Sequence, residues 1–466
     1  MIVSKFGGTS VGSYEAMSRS ANIIADNPQR SWVVISATSG TTNDLLRLCS
    51  LPINSDEGNG LLEQISRRHL DIASQCSFKK EATKAVEECM RTLLAHLSKQ
   101  QTSKQQTSKQ QTSNNSSETE WIDSLLAFGE HLSTQLFAWV LREKNLDVQL
   151  EWAGNFICTD SRFGSAAVDL EATYAKVRHF LTTNEGFGSD QKPGKVLLTQ
   201  GFIGADVQDR TTTLGRGGSD YSAALFAEAL EAECLEIWTD VAGVYTTDPR
   251  VVSTAHAIDE ISFDEAAELS IFGGKVLHPA TMKPVRRANI PVRVASSMEP
   301  ELPGTKIVTG PLNRPVVRAL SVRKEQTLMT LHSLEMLHQP GFLAKVFSIL
   351  SEHRISVDLV TTSEVSVSLT LDTAHKASNK VDLSEAVLRA LNDFCDVEVE
   401  YNLALVAVIG NAMNQTSGIS GQLFSTLKDY NIRLVCHGAS ANNVCFLVQE
   451  SDAEAVVQTL HQSFIG

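Results

Sequence analysis

Four glycine-rich clusters between Lys5 and Pro279 combine backbone freedom with a cation, a carboxylate or a hydroxyl. The first, Lys5-Phe6-Gly7-Gly8-Thr9-Ser10, follows the opening apolar run. Adjacent glycines let successive backbone N–H groups converge on one anion, and a helix N-terminus behind them adds partial positive charge. Lys5 supplies the full charge that a transferring phosphoryl group needs. The second, Leu214-Gly215-Arg216-Gly217-Gly218-Ser219-Asp220, sets an arginine among glycines, where a guanidinium can grip a carboxylate through two parallel hydrogen bonds. The third runs from Thr239-Asp240 through Gly243, Tyr245 and Asp248 to Arg250, and the fourth is Phe272-Gly273-Gly274-Lys275-Val276-Leu277-His278-Pro279. None has Walker A spacing, and Gly215-Arg216-Gly217 lacks the third glycine of the dinucleotide fingerprint. Any one cluster is compatible with a tight turn. Four in one region point to a site that handles phosphate.

The elements that must position these clusters are short β-rich runs alternating with helical stretches. Ile2-Val3, Trp32–Ile35, Val196–Thr199, Leu235–Trp238 and Val292–Val294 are the strand candidates, and the first four are each followed by Gly or Ser and then a helical pattern. That alternation predicts an α/β domain with a mainly parallel sheet and ligands at the strand C-terminal ends. Beyond residue 310 the pattern changes. An offset of 77 residues aligns Gly341 with Gly418, Phe347 with Phe424, Leu350 with Leu427, Ile355 with Ile432 and Ser363 with Ser440. The repeat predicts two small α+β modules in tandem. Boundaries are expected at 1–305 for the first domain, 316–398 for the first module and 399–466 for the second. Ser98 to Thr112 reads SKQQT three times, and 98–120 is expected to be a mobile surface loop between two helices, because a tract without apolar residues cannot offset its ordering entropy by burial.

Composition limits the function. Forty Lys plus Arg against 54 Asp plus Glu give a net charge of −14, which argues against a partner such as nucleic acid or an anionic membrane. No run approaches the length of a membrane span, and the N-terminal residues lack a signal-peptide pattern. The eight Cys contain no Cys-x-x-Cys and the twelve His no His-Glu-x-x-His. No protein-only metal site or disulfide framework is therefore expected, and a reducing cytoplasm is. Glu130, on an amphipathic helix, reads as part of a solvated face. Asp240 reads as a site carboxylate or a helix cap, His278 as structural, and Trp32, Trp139 and Trp152 as core.

These motifs carry a resemblance. Lys-Phe-Gly-Gly-Thr-Ser, Gly-Arg-Gly-Gly-Ser-Asp, Thr-Asp-x-x-Gly-x-Tyr-Thr-x-Asp-Pro-Arg and Phe-Gly-Gly-Lys-Val-Leu-His-Pro resemble aspartate kinases of the amino acid kinase family, and the paired modules look like ACT domains. The stretches 200–204, 210–220, 336–338 and 356–371 look most similar to the lysine-sensitive, monofunctional type. The resemblance implies an amino acid kinase-like three-layer sandwich followed by two ACT modules, phosphorylation of the L-aspartate side-chain carboxylate by ATP with Mg²⁺ carried on the nucleotide, and feedback by L-lysine. This is the first step of the route to lysine, threonine and methionine. It implies Lys5, Asp220 and Lys275 as catalytic residues, and Lys5, Gly7, Gly8, Thr239, Asp240, Tyr245, Arg250 and Lys275 as ATP-binding residues. It implies Ser36, Thr42, Glu130, Phe202, Arg216, Ser219 and Asp220 around aspartate, with Arg216 on the α-carboxylate and Glu130 facing the ammonium group. For the effector it implies Met336, Gln339, Phe342, Leu343, Ser356, Val357, Asp358, Ser363 and Glu364. ACT modules commonly pair across subunits, so a homodimer or tetramer is expected. The competing readings are a kinase for glutamate, carbamate or a nucleoside monophosphate, and a catalytically silent amino-acid-binding regulator. The paired modules and the 210–220 stretch disfavour the first; intact Lys5, Arg216, Asp220 and Lys275 disfavour the second.

Overall fold

A computed structural model describes the chain except residues 53–54, 108–114, 188–191, 274–281, 337–339 and 373–382, and leaves the side chains of 100–107, 115–116 and 372 undescribed. The chain forms two compact units. The first comprises Met1–Val244, Ala257–Phe263 and Val276–Pro311; the second comprises Tyr245–His256, Asp264–Lys275 and Leu312–Gly466.

The strands of the first unit are β1 (Ile2–Phe6), β2 (Trp32–Ile35), β3 (Asp147–Glu151), β4 (Lys195–Gln200), β5 (Ile203–Ala205), β6 (Thr211–Thr213), β7 (Cys234–Thr239), β8 (Glu260–Ser262), β9 (Val292–Ser296) and β10 (Thr305–Val308). Eight of them build one sheet in the order β3-β4-β2-β1-β7-β9-β10-β8, parallel throughout except between β9 and β10. β5 and β6 form a separate antiparallel pair. The expected strands are all present. Their near-continuous apolar runs follow from burial on both faces: β2 is wholly buried, and in β7 four consecutive residues are. Phe6 stacks on Trp238 at 6.0 Å on one side of the sheet, while Trp32 packs against Phe156, Phe180 and Phe226. Trp32 is thus core, whereas Trp139 and Trp152 are only half-buried.

One charged cluster locks the sheet centre. Glu236 on β7 accepts from Arg30 Nε at 2.7 Å, Arg293 Nη1 at 3.3 Å, Ser4 Oγ at 3.1 Å and Trp238 Nε1 at 3.0 Å. Burial pushes this carboxyl's pKa up, but the guanidinium of Arg30 and its neighbours outweigh it, and the group lies below the usual carboxylate range. Because successive side chains on a strand point to opposite faces, fixing Ser4 also fixes the direction of Lys5.

The polar repeat departs from expectation. Helix Lys79–Thr107 runs well into it and helix Asn115–Leu126 begins shortly after; only 108–114 lie outside the described residues. Lys and Gln are good helix formers, and extending an existing helix costs far less than nucleating one. The tract therefore needs no apolar face of its own to continue the helix already anchored by Val86, Leu93 and Leu97 in the core.

The second unit holds β11 (Ala319–His332), β12 (Ser356–Thr362), β13 (Ser366–Asp372), β14 (Asp396–Ile409), β15 (Leu434–His437) and β16 (Asn443–Gln449) in one six-stranded antiparallel sheet, order β12-β13-β11-β14-β16-β15. The 77-residue repeat appears as two helices that start after left-handed glycines, Gly341 (φ 94) and Gly418 (φ 84). The modules do not divide sequentially at residue 398, however. β11 and β14 are each 14 residues long and pair along most of their length. Val317 and Leu320 join the core of Val406, Leu423 and Leu460, while Val397 and Val399 pack on the core of Met329, Phe342 and Leu369. Each module is completed by half of a strand that begins in the other.

Two segments expected in the first domain belong to this second unit. Val252 enters the same core as Leu460, and Thr246 Oγ1 lies 2.9 Å from Nε2 of the buried His461. On helix Phe263–Ile271, Glu265 Oε1 accepts from Arg318 Nε and from Asn411 Nδ2, both at 2.6 Å. The side chains of Arg318 and Glu265 are 7% and 0% exposed. Removing one partner of such a pair strands a buried charge. Arg318→Met should cost about 3–5 kcal/mol in urea unfolding of the full chain, and the double variant with Glu265→Gln should recover part of that loss.

Candidate active site

Parallel pairing places the C-terminal ends of β1, β2, β4, β7 and β9 side by side, and the turns that leave them are tied to one another. Gly7 N–H donates to Trp238 O at 3.1 Å, Ser36 N–H to Phe6 O at 3.2 Å, Ser39 N–H to Gly8 O at 3.1 Å, Gly201 N–H to Ile35 O at 2.9 Å and Ser297 N–H to Thr239 O at 2.8 Å. Gly8 is required by close approach: a Cβ there would lie 2.8 Å from Ala37 O. Behind Gly7 the chain turns into a short 3₁₀ helix, Gly8–Val11, and then helix Tyr14–Ala25, capped by Ser13.

Lys5, near the end of β1, is buried, and its Nζ forms an ion pair with Asp220 Oδ1. Asp220 sits in the first turn of helix Gly218–Ala229, whose N-cap Gly217 is left-handed at φ 73. Arg216 lies one residue earlier, exposed, and forms no ion pair among the described residues. Ser219 packs against Gly201, where a Cβ would come within 2.6 Å of the Ser219 Cβ. Phe202 has φ 68, a left-handed conformation uncommon for an aromatic residue, and is held in it by Ser222 Oγ accepting its N–H at 3.1 Å and by contact with Gly218. Thr239 Oγ1 donates to Asp240 Oδ1 at 3.1 Å at the exposed end of β7.

Glu130 is not on a solvated face. Helix Phe128–Glu143 packs so closely on the loop after β2 that a Cβ on Gly129 would stand 2.9 Å from the Ala37 Cβ. Glu130 is 3% exposed; its Oε1 accepts the Ala37 N–H at 3.2 Å, and Oε2 has no hydrogen-bond partner among the described residues. Burial pushes its pKa up to about 8. The same helix holds the loop through Ser133 Oγ, which donates to Ser36 O at 2.8 Å. Thr42 is half-buried in the first turn of helix Thr41–Ser50.

Comparison with known proteins gives this arrangement a family. Residues 1–296 match the amino acid kinase family, and 330–384 and 406–464 match the ACT domain. The chain is 46% identical over 470 residues to the lysine-sensitive aspartokinase 3 of Escherichia coli, covering 99% of both. It is 35% identical over 475 residues to the chloroplastic aspartokinase 1 of Arabidopsis thaliana, covering 99% of this chain and 80% of that one. Two crystal structures of E. coli aspartokinase III, one with aspartate and ADP (R-state) and one with lysine and aspartate (T-state), each share its fold at TM-score 0.83 and 44% identity over the whole of both chains. The chain belongs to the amino acid kinase family, as an aspartokinase. It pairs an amino acid kinase domain, on a mainly parallel sheet, with ACT domains.

In this aspartokinase the first unit brings together Lys5, Gly7, Gly8, Ser36, Thr42, Glu130, Phe202, Arg216, Ser219, Asp220, Thr239 and Asp240 at one edge of the sheet. Tyr245 and Arg250 belong to the second unit, where Arg250 donates to its neighbour Asp248 at 2.7 Å. Lys275, His278 and Gln339 lie outside the described residues. Of the residues expected at the effector site, Phe342 is committed to the core against Phe394. Met336 is half-buried, Leu343 is 39% exposed, Ser356 and Val357 line a concave surface with Phe347 and Arg354, and Ser363 Oγ is 2.6 Å from Ser366 Oγ. Asp358 is ion-paired with Arg323, and Glu364 is exposed.

The sequence reading missed Asp123. It is fully buried, accepts the N–H groups of Gly164 (2.9 Å) and Thr213 (2.7 Å) and the Thr213 hydroxyl (2.8 Å), and burial raises its pKa. Gly164 O lies 3.4 Å from the Cβ position of Gly215, so the carboxylate supports the turn that carries Arg216. An Asp between Ile122 and Ser124 on an apolar-faced helix is its one sequence signal.

Glu130 makes a prediction about pH. Its folded pKa of about 8 exceeds the ordinary 4.5, so its contribution to stability is fully present below pH 4.5 and is lost as pH rises through 8. Glu130→Gln does not titrate. In the absence of ligands its unfolding midpoint relative to wild type should rise from pH 5 to pH 9, measured by denaturant titration; a constant difference would exclude a buried ionisable carboxyl.

Proposed function

We propose that the first unit transfers the γ-phosphoryl group of ATP to the side-chain carboxylate of L-aspartate, with Lys5 and Asp220 at the reacting centre. The observation that carries the reading is the buried Lys5 ammonium, paired with Asp220 beside a glycine turn at the end of a central parallel strand. The acceptor carboxylate, with an ordinary pKa of about 3.9, is already ionised at neutral pH. No base is required; the barrier is repulsion between two anions. A carboxylate oxygen forms a bond to the γ-phosphorus as the bridging P–O bond breaks and its electron pair leaves with ADP. Lys5 Nζ and the backbone N–H group at Gly8 stabilise the charge on the phosphoryl oxygens, and Asp220 keeps the ammonium aimed.

Arg216 suits the substrate α-carboxylate because it is exposed and forms no ion pair among the described residues. Glu130 suits the α-ammonium because its second oxygen is buried without a partner, and an arriving cation removes the cost of ionising it. Ser36, Thr42, Phe202 and Ser219 complete the aspartate contacts, and Thr239 and Asp240 those of the nucleotide in this unit. Mg²⁺ carried on the nucleotide would neutralise phosphate charge.

The second unit is assigned to L-lysine sensing. Glu364 offers an exposed carboxylate to a ligand with two ammonium groups, and Asp358, which a ligand would have to share with Arg323, a second, beside the surface lined by Ser356 and Val357. β12 is an edge strand with most of its residues exposed, which supports pairing of modules between subunits in a homodimer or tetramer. No described helix is long and apolar enough to cross a membrane and all eight cysteines are free, which supports a reducing cytoplasm as the site of action.

Lys5→Ala should lower kcat on the order of 10²–10³-fold while changing the KM for aspartate far less, with the acyl phosphate trapped by hydroxylamine in the presence of ATP and aspartate. A kcat within about threefold of wild type would remove Lys5 from the reaction. Trapping with glutamate in place of aspartate would reverse the substrate assignment, and insensitivity to added lysine would reverse that of the effector.

A further inference from the structure

The loop from Ser36 to Thr42 leaves β2 carrying two of the residues assigned to aspartate and the N–H that meets Glu130. Much of what holds its far end comes from a helix outside the glycine motifs, Asp56–Gln75. His69, on helix Asp56–Gln75, is fully buried. Its Nδ1 lies 2.7 Å from Ile65 O and its Nε2 lies 3.0 Å from Thr38 Oγ1. A carbonyl only accepts, so Nδ1 carries the proton; in a neutral ring Nε2 then accepts, and the Thr38 hydroxyl must donate to it. Burial pushes the His69 pKa down to about 4, in keeping with a neutral ring.

The chain of roles continues without a free choice. Thr38 Oγ1 is 2.6 Å from Thr41 Oγ1. Having given its proton to His69, Thr38 accepts from Thr41. Thr41 accepts in turn from Arg68 Nη1 at 2.8 Å, and Arg68 Nη2 donates to Asp44 Oδ2 at 2.9 Å. The bonds thus run one way, from the Thr41 hydroxyl to Thr38 Oγ1, from the Thr38 hydroxyl to His69 Nε2, and from His69 Nδ1–H to the Ile65 carbonyl. A directed network of buried, fully matched groups has one low-energy arrangement, because reversing any member leaves a buried donor facing a donor.

We infer that His69 and Thr38 are positioning residues that hold the loop so that the Ala37 N–H reaches Glu130 Oε1 and Ser36 and Thr42 are presented to aspartate. The inference rests on reading this loop as the aspartate site. Thr38→Val removes the hydroxyl at nearly constant shape and Thr38→Ser retains it; His69→Leu removes the acceptor, whereas the amide oxygen of His69→Gln can still receive the Thr38 proton.

Steady-state kinetics on the full chain, with unfolding midpoints measured alongside, test the inference. Thr38→Val and His69→Leu should raise the KM for aspartate roughly tenfold or more with the KM for ATP within about twofold, and Thr38→Ser and His69→Gln should stay within about threefold of wild type. An aspartate KM unchanged in Thr38→Val, a parallel rise in both KM values, or equal behaviour of His69→Gln and His69→Leu overturns it. If Thr38→Val does not fold, the histidine pair decides. Ser36→Ala and Thr42→Val separate the two readings. If both leave the aspartate KM unchanged, the loop is not the aspartate site and both readings fall. If they raise it and Thr38→Val does not, only the positioning role falls.

Discussion

An ammonium group taken out of water must be met by an anion, or it gives up its proton. Lys5 sits near the end of a central parallel strand with little solvent around it, and Asp220 meets it from the first turn of a helix more than two hundred residues away in sequence. Desolvating both charges is costly, so the pair persists only if strand and helix are fixed independently. The Glu236 cluster on β7 and the stacking of Phe6 on Trp238 supply that rigidity from the opposite face of the sheet. In the proposed reaction, the phosphoryl group would find its counter-charge already aimed.

The parallel sheet explains why the remaining groups arrive at the same edge. Each βα turn leaves from a strand C-terminus, so residues 5–8, 36–42, 201–202 and 239–240 become neighbours once the strands are in register, and helix Gly218–Ala229 brings 216–220 to them. The arrangement sets two cations, Lys5 paired with Asp220 and the exposed Arg216, at one edge of the sheet in a chain of net charge −14. Glu130 lies at the same edge, and its buried carboxyl, with one oxygen unpartnered among the described residues, costs the ligand-free protein stability as pH rises.

The second unit follows a different constraint. Two long strands pass from one module to the other, so neither module has a complete core without them. The same unit takes in Tyr245–His256 and Asp264–Lys275, although the family match to the kinase domain runs without a break to residue 296. Buried His461 and the Glu265–Arg318 pair hold those segments. The limits of sequence similarity and the limits of packing therefore differ here. Asp358 is likewise already engaged, by Arg323 within the same unit.

Local chemistry is written in the sequence. Strands buried on both faces must be apolar runs, close turns must be glycine, and a repeat keeps its offset; the parallel sheet, the glycine clusters with Lys5, Arg216 and Asp220, and the left-handed pair Gly341 and Gly418 could all be read from it. What tertiary structure alone decided are properties that depend on neighbours distant in the chain. Glu130 looks like any surface glutamate until the helix carrying it packs against Ala37. Asp123 and His69 match no motif because their partners, Thr213 and Thr38, lie 90 and 31 residues away. The first two copies of the polar repeat are helix because a helix already anchored upstream could be extended cheaply, and the modules interleave because β11 and β14 pair along most of their length and each contributes to both cores. Burial and long-range hydrogen bonding set those outcomes, and neither is a property of any residue by itself.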